Sequence, residues 1–429
     1  MSMLRNGFVG LFLASVAIAD DATAGARLTF TKDVQPILQE NCLICHRHGG
    51  DQIAGMVAPM SLDGYEEVRP WAKAMAKVVA ARQMPPWDAS DASNGVFANE
   101  RRLSEDQIAT IVRWVESGAS RGNPVDAPAP KVFEDKGGWV IGQPDLIVRL
   151  DKPYFVKDDI ADDQPDLTIT ITKEMLPEPR WIQAIECKPD SEVVHHIVGM
   201  ATAPPYEGRP QEQFSAGSIA AGEDPIMYPP EFGNLLRAGT KIHLSMHYHK
   251  EVGPGTGVWD QSAVGFKFHP KDAVIKYNVH RGGIANASFE IPPHQPDWKI
   301  GAGEIFAKDT LILALHPHMH FRGKSMVYTA YYPDGTTELL LDVNRYEYEW
   351  QTNYIYKQPK LIPAGTRIDV MTVYDNSAAA KEKYPVIDIE KPVRFGAPST
   401  DEMMIPFLDY AELDAESANK FRATGTTGD

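Results

Sequence analysis

The sequence predicts a multidomain chain, with a small all-α domain followed by two all-β, jelly-roll-like sandwiches. Three observations predict it. Apolar residues recur with helical spacing up to Gly118, a proline-rich stretch interrupts the chain from Asn123 to Pro130, and beyond it the apolar period falls to two. The 429 residues leave room for about three domains, and with 43% hydrophobic and 23% charged residues each can bury a core. The expected division is a helical domain over 27–122, a linker over 123–138, a first sandwich over 139–285 and a second over 286–420.

Residues 1–24 read as a secretory signal. Arg5 supplies the positive start, Gly7 to Ala19 is a short apolar run, and two small-x-small sites end at Ala19 and Ala24. The run stops at Asp20 and Asp21, short of the roughly 20 apolar residues that a membrane span needs. A soluble periplasmic or secreted protein is expected, without stable membrane insertion. The formal charge of −16, from 42 Lys and Arg against 58 Asp and Glu, argues against a nucleic-acid partner.

Val34, Ile37 and Leu38 place one helix face ahead of Cys42. A second helix is expected to open at Pro70, with Trp71, Ala74, Met75 and Val78 on its apolar side. Ser104 and Gln107 form a capping box for a third, which carries Ile108, Ile111, Val112 and Val115 and stops at Gly118. Three cysteines cannot make a disulfide framework. Cys42, Cys45 and His46 instead have the spacing of c-type haem attachment, in which both thiols bond the porphyrin and the imidazole ligates iron. Cys187 reads as a small buried hydrophobe. Met56, Met60, Met75, Met84 and His48 are the candidates for the opposite axial position. Met84 is favoured because Pro85 and Pro86 hold its loop extended. The segment from 30 to 122 resembles the small haem c domains of bacterial multidomain proteins.

The prolines at 124, 128 and 130 make a semi-rigid spacer. After it Leu167, Ile169 and Ile171 alternate with threonines, and the runs from Met326 and from Thr336 form a hairpin across Pro333, Asp334 and Gly335. The boundary between the sandwiches is expected near Gly282 to Ser288. Eight of the thirteen histidines fall in three groups: His195 and His196; His243, His247 and His249; His316, His318 and His320. His316 and His318 at alternate positions of a strand share a face, as a bidentate metal pair would. His195 and His196 point to opposite faces of a regular strand, so joint ligation requires a bulge. Imidazoles with a thioether suit copper better than magnesium or calcium, and zinc nearly as well. His269, His280 and His294 read as ordinary hydrogen-bonded or surface histidines.

Val194-His195-His196-Ile197, His247-Tyr248, His316-Pro317-His318 and Thr400-Asp401-Glu402-Met403 occur in an order that resembles the type II copper, ascorbate-dependent monooxygenases. That family includes peptidylglycine α-hydroxylating monooxygenase and dopamine β-monooxygenase. The resemblance covers roughly residues 139 to 415 and implies two sandwiches, each holding one copper. Carried over, His195, His196 and His247 would bind the electron-storing copper, and His316, His318 and Met403 the copper that meets dioxygen. His249 and His320 lie outside the matching positions. The positions at which the peptide-amidating member grips a carboxylate are Ala314, Ile405 and Phe407 here, which implies a more neutral or apolar small organic substrate.

The expectation is therefore a copper monooxygenase that uses dioxygen and takes electrons from a periplasmic donor through its own covalent haem c. The alternative is a haem and copper electron-transfer or copper-binding protein that oxidises no substrate. An open coordination position at copper would separate the two.

Overall fold

The computed structural model describes residues 27–48, 58, 60–133, 138–219 and 222–424. The expected leader over 1–24 and Met56 lie outside the described residues. The described chain is mostly β-sheet with few helices, and no helix among the described residues is long and apolar enough to cross a membrane.

Helices α1 (Gln35–Asn41), α2 (Tyr65–Ala80) and α3 (Glu105–Glu116) bury Phe30, Leu38, Val68, Ile111 and Trp114 in one small core. The capping box of α3 is present, with the Gln107 amide donating to Ser104 Oγ. Helix α2 departs from expectation. It starts before Pro70, because the Glu67 carboxylate accepts the Gly64 N–H at 3.0 Å and nucleates the first turn. Its buried stripe is Val68, Ala72, Met75 and Val79. Trp71 is 43% exposed and Ala74 is also exposed, so the apolar face expected there is only partly packed.

The chain does not stay in the helical unit between α2 and α3. Trp87, Ala89 and Phe97 are buried in the core of the second sandwich, and Trp87 packs edge-on to Tyr354 at 4.9 Å. Backbone bonds from Ser90 to Asp342, from Ala98 to Ile355 and from Lys357 to Val96 fasten this strap. The expected continuous domain over 27–122 is thus a helical core with an excursion docked on a sandwich.

In the first sandwich, Arg180–Lys188 is flanked by Ala263–Phe268 and Leu235–Leu236, all antiparallel, with Leu146–Arg149 outside. The facing sheet centres on Lys241–His249, paired to Asp166–Thr170 and to Val194–Ala203, with Glu212–Ile219 beyond. Ile185, Ile197, Phe214, Ile242, Phe266 and their neighbours fill the space between. The second sandwich packs the order His280–Gly283, Ile405–Glu412, Thr310–His318, Tyr354–Ile362 against Trp298–Ile305, Arg367–Tyr374, Gly323–Tyr331, Thr337–Val343. Its hairpin turns at Gly335, as expected, with a backbone bond from Tyr332 to Thr336. Tyr277–Asn278 still pairs with the first sandwich and His280–Gly283 with the second, so the crossover falls slightly before the expected Gly282.

Candidate metal centres

The first histidine group forms at the end of two paired strands. His247 lies opposite His196, and Tyr248 opposite Val194, so His195 is the extra residue of a bulge. The bulge breaks the up-and-down alternation and lets both histidines face one point. His195 Nδ1 is 3.1 Å from His196 Nδ1, which is 3.4 Å from His247 Nδ1. One proton can satisfy one such pair of nitrogens, whereas three converging on a point leave lone pairs facing each other. A cation resolves that conflict. Ligand atoms of all three lie within 4.8 Å of one another.

The far nitrogens of this group face acids. His247 Nε2 is 3.1 Å from Asp162, and His195 Nε2 is 3.8 Å from Glu349. At His247 the carboxylate takes the ring N–H and leaves Nδ1 as the lone-pair nitrogen. Burial, then His195 and His247, push His196 down to about 2, so it is a neutral ligand-type imidazole. His249 also bonds Asp162, at 3.0 Å, but is exposed. His243 faces Thr168 on the exposed side of the strand. Asp162→Ala is expected to weaken metal binding at this group by about 10–100-fold. Competitive titration against a copper chelator measures it, and unchanged affinity would show that Asp162 orients nothing.

The third group is assembled differently from the sequence expectation. His316 is buried and its Nε2 lies 3.0 Å from Asp409 and 3.1 Å from Arg281, while its Nδ1 faces Glu223 at 3.6 Å. Arg281 grips Asp409 with two bonds of 2.7 and 2.9 Å. Burial and Arg281 push the His316 pKa down, but Asp409 and Glu223 outweigh them and hold it above the ordinary value. Nε2 is taken and Glu223 stands off Nδ1, so His316, expected as a metal ligand, sits within a buried ionic cluster.

His320 stands beside His318. The two rings stand edge-to-face at 5.3 Å. His318 Nδ1 is 2.7 Å from Gln351 Oε1, and His320 Nδ1 is 3.3 Å from the Asp401 carbonyl. Each acceptor takes the Nδ1 proton, so both rings present Nε2 as the lone pair. Burial lowers both pKa values, that of His320 to about 3.

Glu402 ties this pair to Met403. Its buried carboxylate accepts the N–H groups of His320 at 2.9 Å, Arg322 at 2.6 Å and Met403 at 3.3 Å. Burial pushes the Glu402 carboxyl up to about 8, even against those donors. Arg322 donates to the Thr400 carbonyl at 2.7 Å. The Tyr374 hydroxyl donates to the Met403 carbonyl at 2.8 Å. Gly323 has no Cβ, which would sit 2.7 Å from Met319 Cβ and 2.8 Å from the Tyr346 ring, so that ring can close on the histidine turn.

In the helical unit, Cys42, Cys45 and His46 wind one turn past α1, with the Cys45 and His46 N–H groups on the Cys42 carbonyl. Burial, then Cys45, raises the Cys42 thiol to about 12. His46 Nδ1 donates to the Met60 carbonyl at 3.2 Å, which leaves Nε2 to ligate. That bond puts the Met60 backbone on the His46 side. Met75 is buried in the helical core, whereas Met84 is 40% exposed. The Met84 N–H bonds the Val78 carbonyl at 3.4 Å, at the end of the partly packed face that includes Trp71. The thiol pair and the oriented imidazole are the donor types that a covalent haem would use.

His269 is buried with Nε2 on the Phe232 carbonyl at 2.9 Å, and Cys187 is buried, both as expected. Sequence reasoning did not find Asp162, Glu223, Arg281, Tyr348, Glu349, Gln351 and Asp409, which reach the histidines from distant elements and carry no local pattern.

No protein-family model matches the chain, and no curated protein does. Among solved structures, the infectious bursal disease virus VP2 subviral particle is similar over 61% of this chain and 72% of that one, with 13% identity and a TM-score of 0.17. The structure of the infectious bursal disease virus Gx strain is similar over 62% and 72%, with 10% identity and a TM-score of 0.17. Likeness at that level carries no argument about fold or function.

Proposed function

We propose that the protein is an exported copper-dependent monooxygenase that hydroxylates a small neutral organic substrate and receives electrons through its own haem c. The observation that supports it best is the pair of histidine groups with different presentation. Three Nδ1 atoms converge at His195, His196 and His247, whereas His318 and His320 have Nδ1 engaged and present Nε2, with the His320 and Met403 backbones held by one Glu402 carboxylate. The first set would hold a copper through three imidazoles, the second a copper through two imidazoles and a thioether. Cys42, Cys45, His46 and Met84 would hold the haem. When bound, the metals supply one-electron transfer and a place for dioxygen.

The chain's own residues set the rest. Asp162, Gln351 and the Asp401 carbonyl fix which nitrogen His247, His318 and His320 offer. The Phe407 ring lies 6.2 Å from that of His318, and Ala314 and Ile405 bring no charge. With His318 and His320 as the pair, the position two residues before it is His316, already held by Asp409 and Glu223. No cation there is available for a substrate carboxylate, which favours an apolar or neutral substrate. The test is oxygen uptake by haem- and copper-loaded protein with ferrous haem, across neutral alkyl and aryl substrates. Substrate-dependent uptake with an oxygenated product is expected. Haem that stays reduced in air and no product with any substrate would overturn the proposal.

A further inference from the structure

One loop reaches both histidine groups and the strap that carries Met84. Residues 344–353 join the strands Thr337–Val343 and Tyr354–Ile362 of the second sandwich. Arg345 donates to the carbonyls of Ala81 at 3.0 Å, Arg82 at 3.1 Å and Trp87 at 3.1 Å, so it grips both ends of the Met84 loop. The Tyr346 hydroxyl donates to the Met319 carbonyl at 2.6 Å, between His318 and His320. Glu349 faces His195 and Gln351 bonds His318. Tyr348 is buried, with its ring 6.0 Å from that of His196 and 6.3 Å from that of His320. It therefore contacts a member of each histidine group, and its hydroxyl is held by Ser399 Oγ at 2.7 Å.

We infer that this loop is the internal electron path: Arg345 fixes the Met84 strap against it, and the Tyr348 ring bridges the two histidine groups. The inference rests on the proposed haem and copper function. Each transfer moves one electron. Ferrous haem becomes ferric as a cupric ion becomes cuprous, and between the copper sites one ion is oxidised as the other is reduced. Tyr348 is a positioning residue that fills the gap with packed covalent structure, and its hydroxyl is anchored on Ser399.

The experiment uses full-length protein loaded with haem and copper, without oxygen or substrate. A photoexcited flavin reduces the haem in a flash, and the haem absorbance and the cupric EPR signals are followed. Wild type is expected to pass its electron to copper. Tyr348→Leu should slow equilibration between the two cupric signals several-fold at unchanged copper content, and Tyr348→Phe, which keeps the ring, should not. Arg345→Gln, which removes bonds to the strap and none to a histidine, should slow decay of the ferrous haem several-fold. Wild-type rates in both Tyr348→Leu and Arg345→Gln would overturn the inference and leave the proposed function standing. Should Tyr348→Leu lose copper, the Arg345→Gln rate alone decides. Wild-type haem that never passes an electron to copper would instead overturn the proposed function itself.

Discussion

His320→Ala is expected to abolish one of the two proposed copper sites and the proposed oxygenase activity with it, whereas His316→Ala is expected to keep both sites. The contrast follows from where the rings point. His320 offers Nε2 because its Nδ1 proton is taken by the Asp401 carbonyl, and its backbone is fixed by Glu402, which also holds the Met403 N–H. Removing that ring leaves one imidazole and a thioether, too few donors to retain copper against a chelator. His316 contributes to packing and charge instead, between Asp409 and Glu223. Its loss should cost about 1.5–3 kcal/mol of stability, the range for hydrogen bonds to charged groups. Metal analysis with copper EPR on the two variants, alongside denaturant unfolding, separates the roles. Copper lost from His316→Ala and kept in His320→Ala would reverse the assignment.

The ambiguity that this prediction resolves was built into the sequence. His316, His318 and His320 are spaced by two, so on a strand any neighbouring pair shares a face, and periodicity cannot choose between pairs. The choice is made by Arg281 and Asp409, 35 and 93 residues away, which capture His316, and by the end of the strand at His318. Where a feature depends on local chemistry, the sequence shows it. The turn at Cys42 to His46, the capping box of α3 and the Gly335 hairpin are all present, and the bulge that adjacent histidines demanded falls at His195. Pro70 was misleading because Pro favours the first helical position, whereas here it is the sixth residue of α2, where it forgoes a backbone hydrogen bond, and the Gly64 to Glu67 cap lies upstream. The strap from Trp87 to Phe97 gives no periodic signal at all, since its three buried anchors are irregularly spaced and their partners lie in the second sandwich.

The largest stability effect is expected at Arg281. This guanidinium is buried with Asp409 in a two-bond ion pair, and Glu223, reaching across from the first sandwich, lies 3.9 Å from it. Arg281→Met keeps the bulk of the side chain and removes its charge, so two buried carboxylates are left facing His316 alone. Breaking a buried pair on one side typically costs about 3–5 kcal/mol, because the remaining charge has no solvent to replace its partner. The pH dependence gives a sharper signature than the magnitude. In wild type the Asp409 and Glu223 carboxyls are held below their ordinary values, Asp409 by Arg281 first and Glu223 by His316 first, against the burial that raises both. Their contribution is therefore present above the ordinary carboxylate range and is lost as pH falls through the depressed values. In Arg281→Met burial dominates and the same carboxyls shift upward, so their contribution is present in acid and is lost as pH rises. The gap between wild type and variant should be widest near neutral pH and should narrow toward about pH 4, where both carboxyls of the variant can protonate. Denaturant unfolding at a series of pH values measures it. A gap independent of pH would mean that packing, not charge, makes Arg281 important, and Arg281→Met with Asp409→Asn would then recover nothing.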